Sequence, residues 1–106
     1  CVRGDIYRLR SSRAAEGHEQ RGPRYGVVVQ SDHLLLSTVL VAPTSTSALP
    51  TDFRPRITMD GTTTYVLVEQ TAAVNAETRL GEFAGRLSPS ELADLDRALT
   101  LVLGLY

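Results

Sequence analysis

The sequence predicts a mainly β domain: a small, twisted, mostly antiparallel sheet curled into a partial barrel, with one C-terminal helix packed on it. Three observations predict it. Short runs rich in Val, Thr and Ile are separated by breaks carrying Gly, Pro, Ser and Asp. Asp60-Gly61, between two β-branched runs, is a two-residue hairpin signal. Ser88-Pro89-Ser90-Glu91 is a capping box with proline at the first helical position, and a stretch with helical spacing of apolar residues follows it.

Taken in order, residues 5–10 carry Ile6, Tyr7 and Leu9 and predict a first, partly exposed strand. Residues 11–23 form a polar loop with Gly17, Gly22 and Pro23. It is too long for a tight hairpin turn, and long loops in compact domains tend to be functional or mobile. Residues 25–30 and 37–42 are β-branched runs on either side of the polar break Ser31-Asp32-His33. Both are apolar on consecutive positions, as strands covered on two faces are, so both predict central strands. Pro43 ends the second run and delivers Thr44-Ser45-Thr46-Ser47 into a loop. Residues 53–59 and 63–69 flank Asp60-Gly61 as the arms of the hairpin, with Pro55 demoting the first arm to a sheet edge. Residues 71–78 predict a helical turn, and 80–87 a last strand in which Gly81 and Gly85 allow bends. In the final helix Leu92, Leu95, Leu99, Val102 and Leu103 fall on one face, which covers the sheet or a partner subunit.

Length and composition bound the function. The 106 residues make one domain, 1–106, able to bury a core without disulfides or a structural metal. With 42% hydrophobic and 22% charged residues the chain is an ordinary globular one. No apolar run is long enough to cross a bilayer and no charged-then-apolar leader is present, so neither a membrane span nor a signal peptide is expected. The single cysteine, Cys1, has no internal partner, and with two histidines there is no metal-ligand spacing. No nucleophile elbow, P-loop or dinucleotide fingerprint occurs either. These readings predict a protein without metal or cofactor in a reducing, cytoplasmic setting.

The net charge is −1, but its distribution is uneven. All 11 basic residues are arginine, and six of them (Arg3, Arg8, Arg10, Arg13, Arg21, Arg24) fall in the first quarter of the chain against the acids Asp5, Glu16 and Glu19. A missing lysine is what a G+C-rich genome produces; clustering of the arginines is not, and clustered arginine attracts a phosphate backbone. The segment Gly17-His18-Glu19-Gln20-Arg21-Gly22-Pro23-Arg24-Tyr25 runs straight into the strand at 25–30. A guanidinium fixed at the mouth of a rigid strand offers a planar fork of donors to phosphate oxygens, and a carboxylate nearby orients it or takes a proton. An exposed Glu–Arg pair on a solvated loop accounts for the same residues. Thr44, Ser45, Thr46 and Ser47 form a second candidate group, since hydroxyls after a buried strand donate to a phosphate or a developing oxyanion; Ser and Thr are also ordinary turn residues. His18 is a candidate acid or base by its pKa, although a lone loop histidine is more often simply solvated. Glu69-Gln70 either reaches the same site or marks the end of a strand.

These residues, in this order, resemble the MazF/PemK family of toxin endoribonucleases. The resemblance rests on Arg3-Gly4-Asp5-Ile6-Tyr7, on Gly17-His18-Glu19-Gln20 with Gly22-Pro23-Arg24, and on Val39-Leu40-Val41-Ala42-Pro43-Thr44. It continues through Val68-Glu69-Gln70 and Leu87-Ser88 with Leu92, Asp96, Ala98 and Leu99, so that it spans nearly the whole chain. No single motif decides it; the ordered set is what is specific.

The resemblance implies an SH3-like barrel, a homodimer, and metal-independent, sequence-selective cleavage of single-stranded RNA by attack of the RNA's own 2′-hydroxyl. The activity would be that of the growth-arresting toxin of a type II toxin–antitoxin system. It places the essential pair at Arg24, on the phosphate, and Thr44, hydrogen-bonded to it, with Glu19 orienting Arg24 or serving as base. Gln20, Arg21, Tyr25, Ser45, Thr46 and Gln70 become candidate RNA-binding residues, Tyr25 and Arg21 as surfaces on which unpaired bases stack. The chain departs from the family in two places: Tyr25 follows Arg24 where proline is usual, and His18 stands where serine is frequent. A cognate antitoxin with an extended acidic tail is the implied protein partner. Two other readings of the same fold are a topoisomerase inhibitor of the CcdB type, acting through protein contacts, and an RNA-binding barrel that cuts nothing; neither needs Glu19, Arg24 and Thr44 together.

Overall fold

The structure, a computed structural model, describes residues 2–10 and 24–106. Seven strands form one sheet: β1 Asp5–Leu9, β2 Tyr25–Val28, β3 Thr38–Ser45, β4 Arg56–Met59, β5 Thr62–Val66, β6 Ala72–Asn75 and β7 Leu80–Arg86. A 3-10 turn at Val68–Gln70, a single helical turn α1 at Ala76–Arg79 and the long helix α2 at Pro89–Leu103 complete it. The strands run in the order β4-β5-β3-β2-β1-β7 with antiparallel pairing, and β6 joins β3 beside β5. The result is the curled half-barrel with a C-terminal helix that the sequence predicts.

β3 makes the sheet curl. One of its edges pairs with β2 through Val41, Ala42 and Pro43. Its other edge pairs first with β6 over Thr38 to Val41 and then with β5 at Thr44 and Ser45. Pro43 therefore does not end this strand, as the sequence suggested. Its carbonyl accepts from the Leu67 N–H at 2.8 Å on the β5 edge. On that edge β6 has already stopped at Val41 and β5 begins at Thr44, so the N–H that proline lacks falls in a gap between partners and costs no ladder bond. The consequence for function is that Thr44 and Ser45 belong to a strand rather than a loop.

β2 is covered on both faces, and β3 is covered on both at Val41 and Ala42, while Leu40 is exposed. Ile6, Val27, Ala42, Ile57 and Val66 pack with Leu87 of the last segment and with Leu95 and Ala98 of α2. On the opposite face Val28, Val39 and Val41 pack with Tyr7, Leu9, Val74 and Leu80. Gly26 is needed there: a Cβ would lie 2.4 Å from Val41 Cγ1 and 3.1 Å from the Leu9 methyls, so any side chain pushes the two apart. β2 stops at Val28, two residues before the expected end, because Gln30 turns inward. Its buried amide accepts from the Leu40 N–H at 3.2 Å and donates to the Leu34 carbonyl at 3.3 Å, which satisfies it.

The Asp60-Gly61 hairpin forms as expected, with positive φ at both residues (50° and 78°), the signature of the turn whose twist matches its strands. β4 is indeed a sheet edge, although it starts at Arg56, after Pro55. The region expected as a helical turn over 71–78 divides instead: Ala72–Asn75 is a strand against β3, and only Ala76–Arg79 is helical. Asn75 makes the division by accepting from the Glu77 and Thr78 N–H groups as the N-cap. α2 has the full capping box at Ser88 and Glu91. Of its predicted stripe Leu92, Leu95 and Leu99 meet the core, joined by Ala98, while Val102 and Leu103 are exposed. Among the described residues no helix is long and apolar enough to cross a membrane.

Asp5 ties the first strand to the last. Its carboxylate accepts from Arg86 Nε at 2.8 Å and from the Val2 N–H at 2.9 Å, and it is buried while Arg86 is largely exposed. Burial pushes the Asp5 carboxyl up, but the Arg86 and Val2 hydrogen bonds together outweigh it and hold the pKa below the usual value. A carboxyl whose pKa is depressed on folding stabilises the fold above its unfolded pKa, about 3.9, and loses that contribution as pH falls through the folded value. Asp5→Asn is therefore expected to lower the denaturation midpoint at pH 7 and to cost progressively less as pH falls below about 3.9. An equal loss at every pH would contradict the charge-based role.

Candidate functional site

Arg24 and Thr44 are twenty residues apart in sequence and adjacent in the sheet. Arg24 immediately precedes β2, and its carbonyl is fixed by the Leu9 N–H of β1 at 2.8 Å. Thr44 lies near the end of β3, where its hydroxyl donates to the Tyr25 carbonyl at 3.2 Å and closes β2 against β3. Both residues line one cavity of about 390 Å³ at the end of the sheet, together with Tyr25, Ser45, Thr46 and Ser47. The Nε of Arg24 is buried and has no hydrogen-bond partner among the described residues. A buried, unsatisfied guanidinium N–H is costly, and here it belongs to a side chain that lines the cavity.

The hydroxyl group is not uniform. Ser45 accepts from the Ser47 N–H at 3.1 Å, and the two side chains meet at 3.4 Å, so Ser45 caps its own turn. Tyr25 packs its ring on the main core and only borders the cavity. Thr44 is the hydroxyl of this group that bonds across the sheet, to β2, rather than within the turn.

The far wall comes from the β4–β5 hairpin, as Met59, Asp60, Thr62 and Thr64. Sequence reasoning treated Asp60-Gly61 as a turn and nothing more; the signal that it faces the site lies in β3, whose extra length beyond Pro43 brings the hairpin alongside. Asp60 and Arg24 line the same space without forming an ion pair among the described residues. The cavity is thus lined by a cation, an anion and several hydroxyls.

The other candidates are placed as follows. His18, Glu19, Gln20 and Arg21 lie outside the described residues. Gln70 is exposed in the 3-10 turn and does not line the cavity. Its neighbour Glu69 is held by Arg54 at 2.6 and 2.9 Å, and Arg54 also donates to the Leu49 carbonyl and lies over the Phe53 ring. The Arg54 hydrogen bonds hold the Glu69 carboxyl below its usual range, against the effect of burial. Among the described residues no cluster of His, Cys, Asp or Glu is arranged to hold a metal ion.

Comparison with known proteins extends the picture. Residues 2–103 match the family described as the PemK-like, MazF-like toxin of type II toxin–antitoxin systems. A protein of Mycobacterium tuberculosis named as a toxin is 39% identical over 104 residues, covering 98% of each chain. In fold, the chain is similar to an endoribonuclease solved in complex with its cognate antitoxin from a mycobacterial species, with a TM-score of 0.76 at 21% identity over 100% of this chain and 97% of that one. It is likewise similar to MazF from Deinococcus radiodurans, with a TM-score of 0.77 at 21% identity over 98% and 96%.

Proposed function

Since the chain belongs to the family of PemK-like, MazF-like toxins of type II toxin–antitoxin systems, we propose that it is an endoribonuclease that cuts single-stranded RNA at selected sequences through its Arg24–Thr44 cavity. The observation that carries this reading is that Arg24, whose buried Nε has no acceptor among the described residues, lines one cavity with Thr44. A phosphate oxygen in the cavity is an acceptor for its guanidinium.

In the proposed reaction the RNA 2′-hydroxyl attacks the adjacent phosphorus, and the bond to the 5′-oxygen of the next nucleotide breaks. The products are a 2′,3′-cyclic phosphate and a 5′-hydroxyl end. Arg24 donates to the non-bridging oxygens, whose charge grows in the transition state. The Thr44 hydroxyl, which donates to the Tyr25 carbonyl in the free protein, turns its proton to the same phosphate. Glu19 orients Arg24 or takes the 2′-hydroxyl proton, and the departing 5′-oxygen takes a proton from His18 or from the Arg24 guanidinium. Gln20, Arg21, Tyr25, Ser45, Thr46 and Gln70 contact the RNA on either side of the cut. Nothing in these steps calls for a metal ion.

The same reading includes a two-fold homodimer with RNA in a groove shared by both subunits. Its support is apolar surface: Leu34, Leu35 and Leu36 are 52%, 94% and 62% exposed, and Leu103 of α2 is 62% exposed. A cognate antitoxin whose acidic tail occupies the arginine-lined groove is the natural repressor; one of the structures of similar fold is an endoribonuclease in complex with its cognate antitoxin.

The reading is tested by incubating the purified protein with mixed-sequence single-stranded RNA in excess EDTA and mapping new ends. Recurrent cut sites are expected. RNA that stays bound but intact would favour the binding barrel, and neither binding nor cutting would favour an inhibitor of a protein target.

A further inference from the structure

We infer that Asp60 reads the base next to the phosphate held by Arg24 and that it selects guanine. The inference rests on the nuclease reading above and adds a residue and a ligand chemistry to it. A carboxylate in a cavity that receives a phosphodiester repels that phosphate, so an aspartate on the wall works against substrate binding unless it faces another part of the nucleotide. Arg24 and Asp60 both line the cavity, together with Thr44 and Thr62, and they form no ion pair among the described residues. Its volume of about 390 Å³ accommodates a single nucleotide unit, with its phosphate on Arg24 and its base on Asp60.

The chemistry of the base follows from the carboxylate. Ionised, it has two acceptor oxygens and no donor. Of the four bases of RNA only guanine offers two adjacent donors on one edge, N1–H and the 2-amino group, which match the two oxygens side by side. Cytosine and adenine offer one amino group beside an acceptor nitrogen. Uracil offers one N–H flanked by two carbonyls, which the carboxylate repels. An unpaired, splayed base presents these edges freely, as single-stranded RNA does. A two-point contact of this kind discriminates between bases by roughly five- to 150-fold.

The turn makes the test clean. Asp60 has φ of 50° in the hairpin, and asparagine is as well suited as aspartate to that position before Gly61. Asp60→Asn therefore keeps the fold while replacing one acceptor by a donor. The probes are fluorescent heptamers of 2′-fluoro RNA, which lack the nucleophile and stay intact, with uracil throughout except for G, A, C or U at the centre. Wild-type protein is expected to bind the G heptamer roughly five- to 150-fold more tightly than the all-U heptamer, with A and C between. Asp60→Asn is expected to lose that preference while binding the all-U heptamer at least as well, since a repelling charge is gone. A wild type without G preference, or an Asp60→Asn protein that keeps it, would overturn the role of Asp60 and leave the nuclease reading standing. Binding to none of the four heptamers would overturn both.

Discussion

Arg24→Ala is expected to cut RNA at least about a hundredfold more slowly than the wild type, while remaining folded and binding RNA only a little more weakly. The magnitude is that of removing one donor aimed at charge which develops in the transition state. The asymmetry between rate and affinity follows because such a donor contributes more to the transition state than to the bound substrate. The fold survives because Arg24 is held by its backbone, through the bond from Leu9 to its carbonyl, and its Nε has no protein partner among the described residues to lose. Thr44→Ala should also lose rate with binding almost intact. It removes the bond to the Tyr25 carbonyl as well, so a thermal melt belongs beside the kinetics. Wild-type rates from both variants, measured under single-turnover conditions with affinity determined separately, would show that the cavity is not where cleavage occurs.

The second large effect lies in the substrate. Replacing the 2′-hydroxyl at the cut site by hydrogen is expected to abolish cleavage at that bond, because it removes the nucleophile itself. Cleavage elsewhere on the same strand should continue, and the modified RNA should still compete for binding. An all-DNA strand of the same sequence is expected to resist cutting altogether. A deoxy linkage cut at the wild-type rate would mean that water or a side chain is the nucleophile.

The parts of the fold that were legible in the sequence are those whose cause is local. Asp60-Gly61 announces its turn because few residue pairs adopt positive φ twice in succession. The Ser88–Glu91 box announces α2 because its hydrogen bonds span three residues. β2 announces its burial on both faces by apolar residues at consecutive positions, whereas in β3 the same pattern includes the exposed Leu40. What was misread is set by distant pairing. Ala72–Asn75 contains two alanines, good helix formers, and is a strand only because Thr38–Val41 of β3 offers it an edge. Pro43 looks like a terminator and is tolerated because two partner strands leave a gap opposite it. The same non-local cause divides the site. Arg24 and Thr44 could be nominated from motif order, but the wall carrying Asp60 follows from the way β3 runs on past Pro43 to meet β5. Gln70, nominated with the others, ends outside the cavity because the chain leaves β5 through a 3-10 turn instead of continuing as a strand to residue 69.

The central claim is that this cavity promotes attack by the RNA's own 2′-hydroxyl. The measurement that meets it most directly is the chemistry of the ends made by the purified protein on single-stranded RNA in excess EDTA. Fragments that accept a labelled phosphate from a 5′-kinase without prior dephosphorylation, and whose 3′ ends carry a 2′,3′-cyclic phosphate or the 3′-phosphate, are the predicted result. Fragments with 5′-phosphate and 3′-hydroxyl ends, or activity that vanishes when metal is chelated, would contradict it.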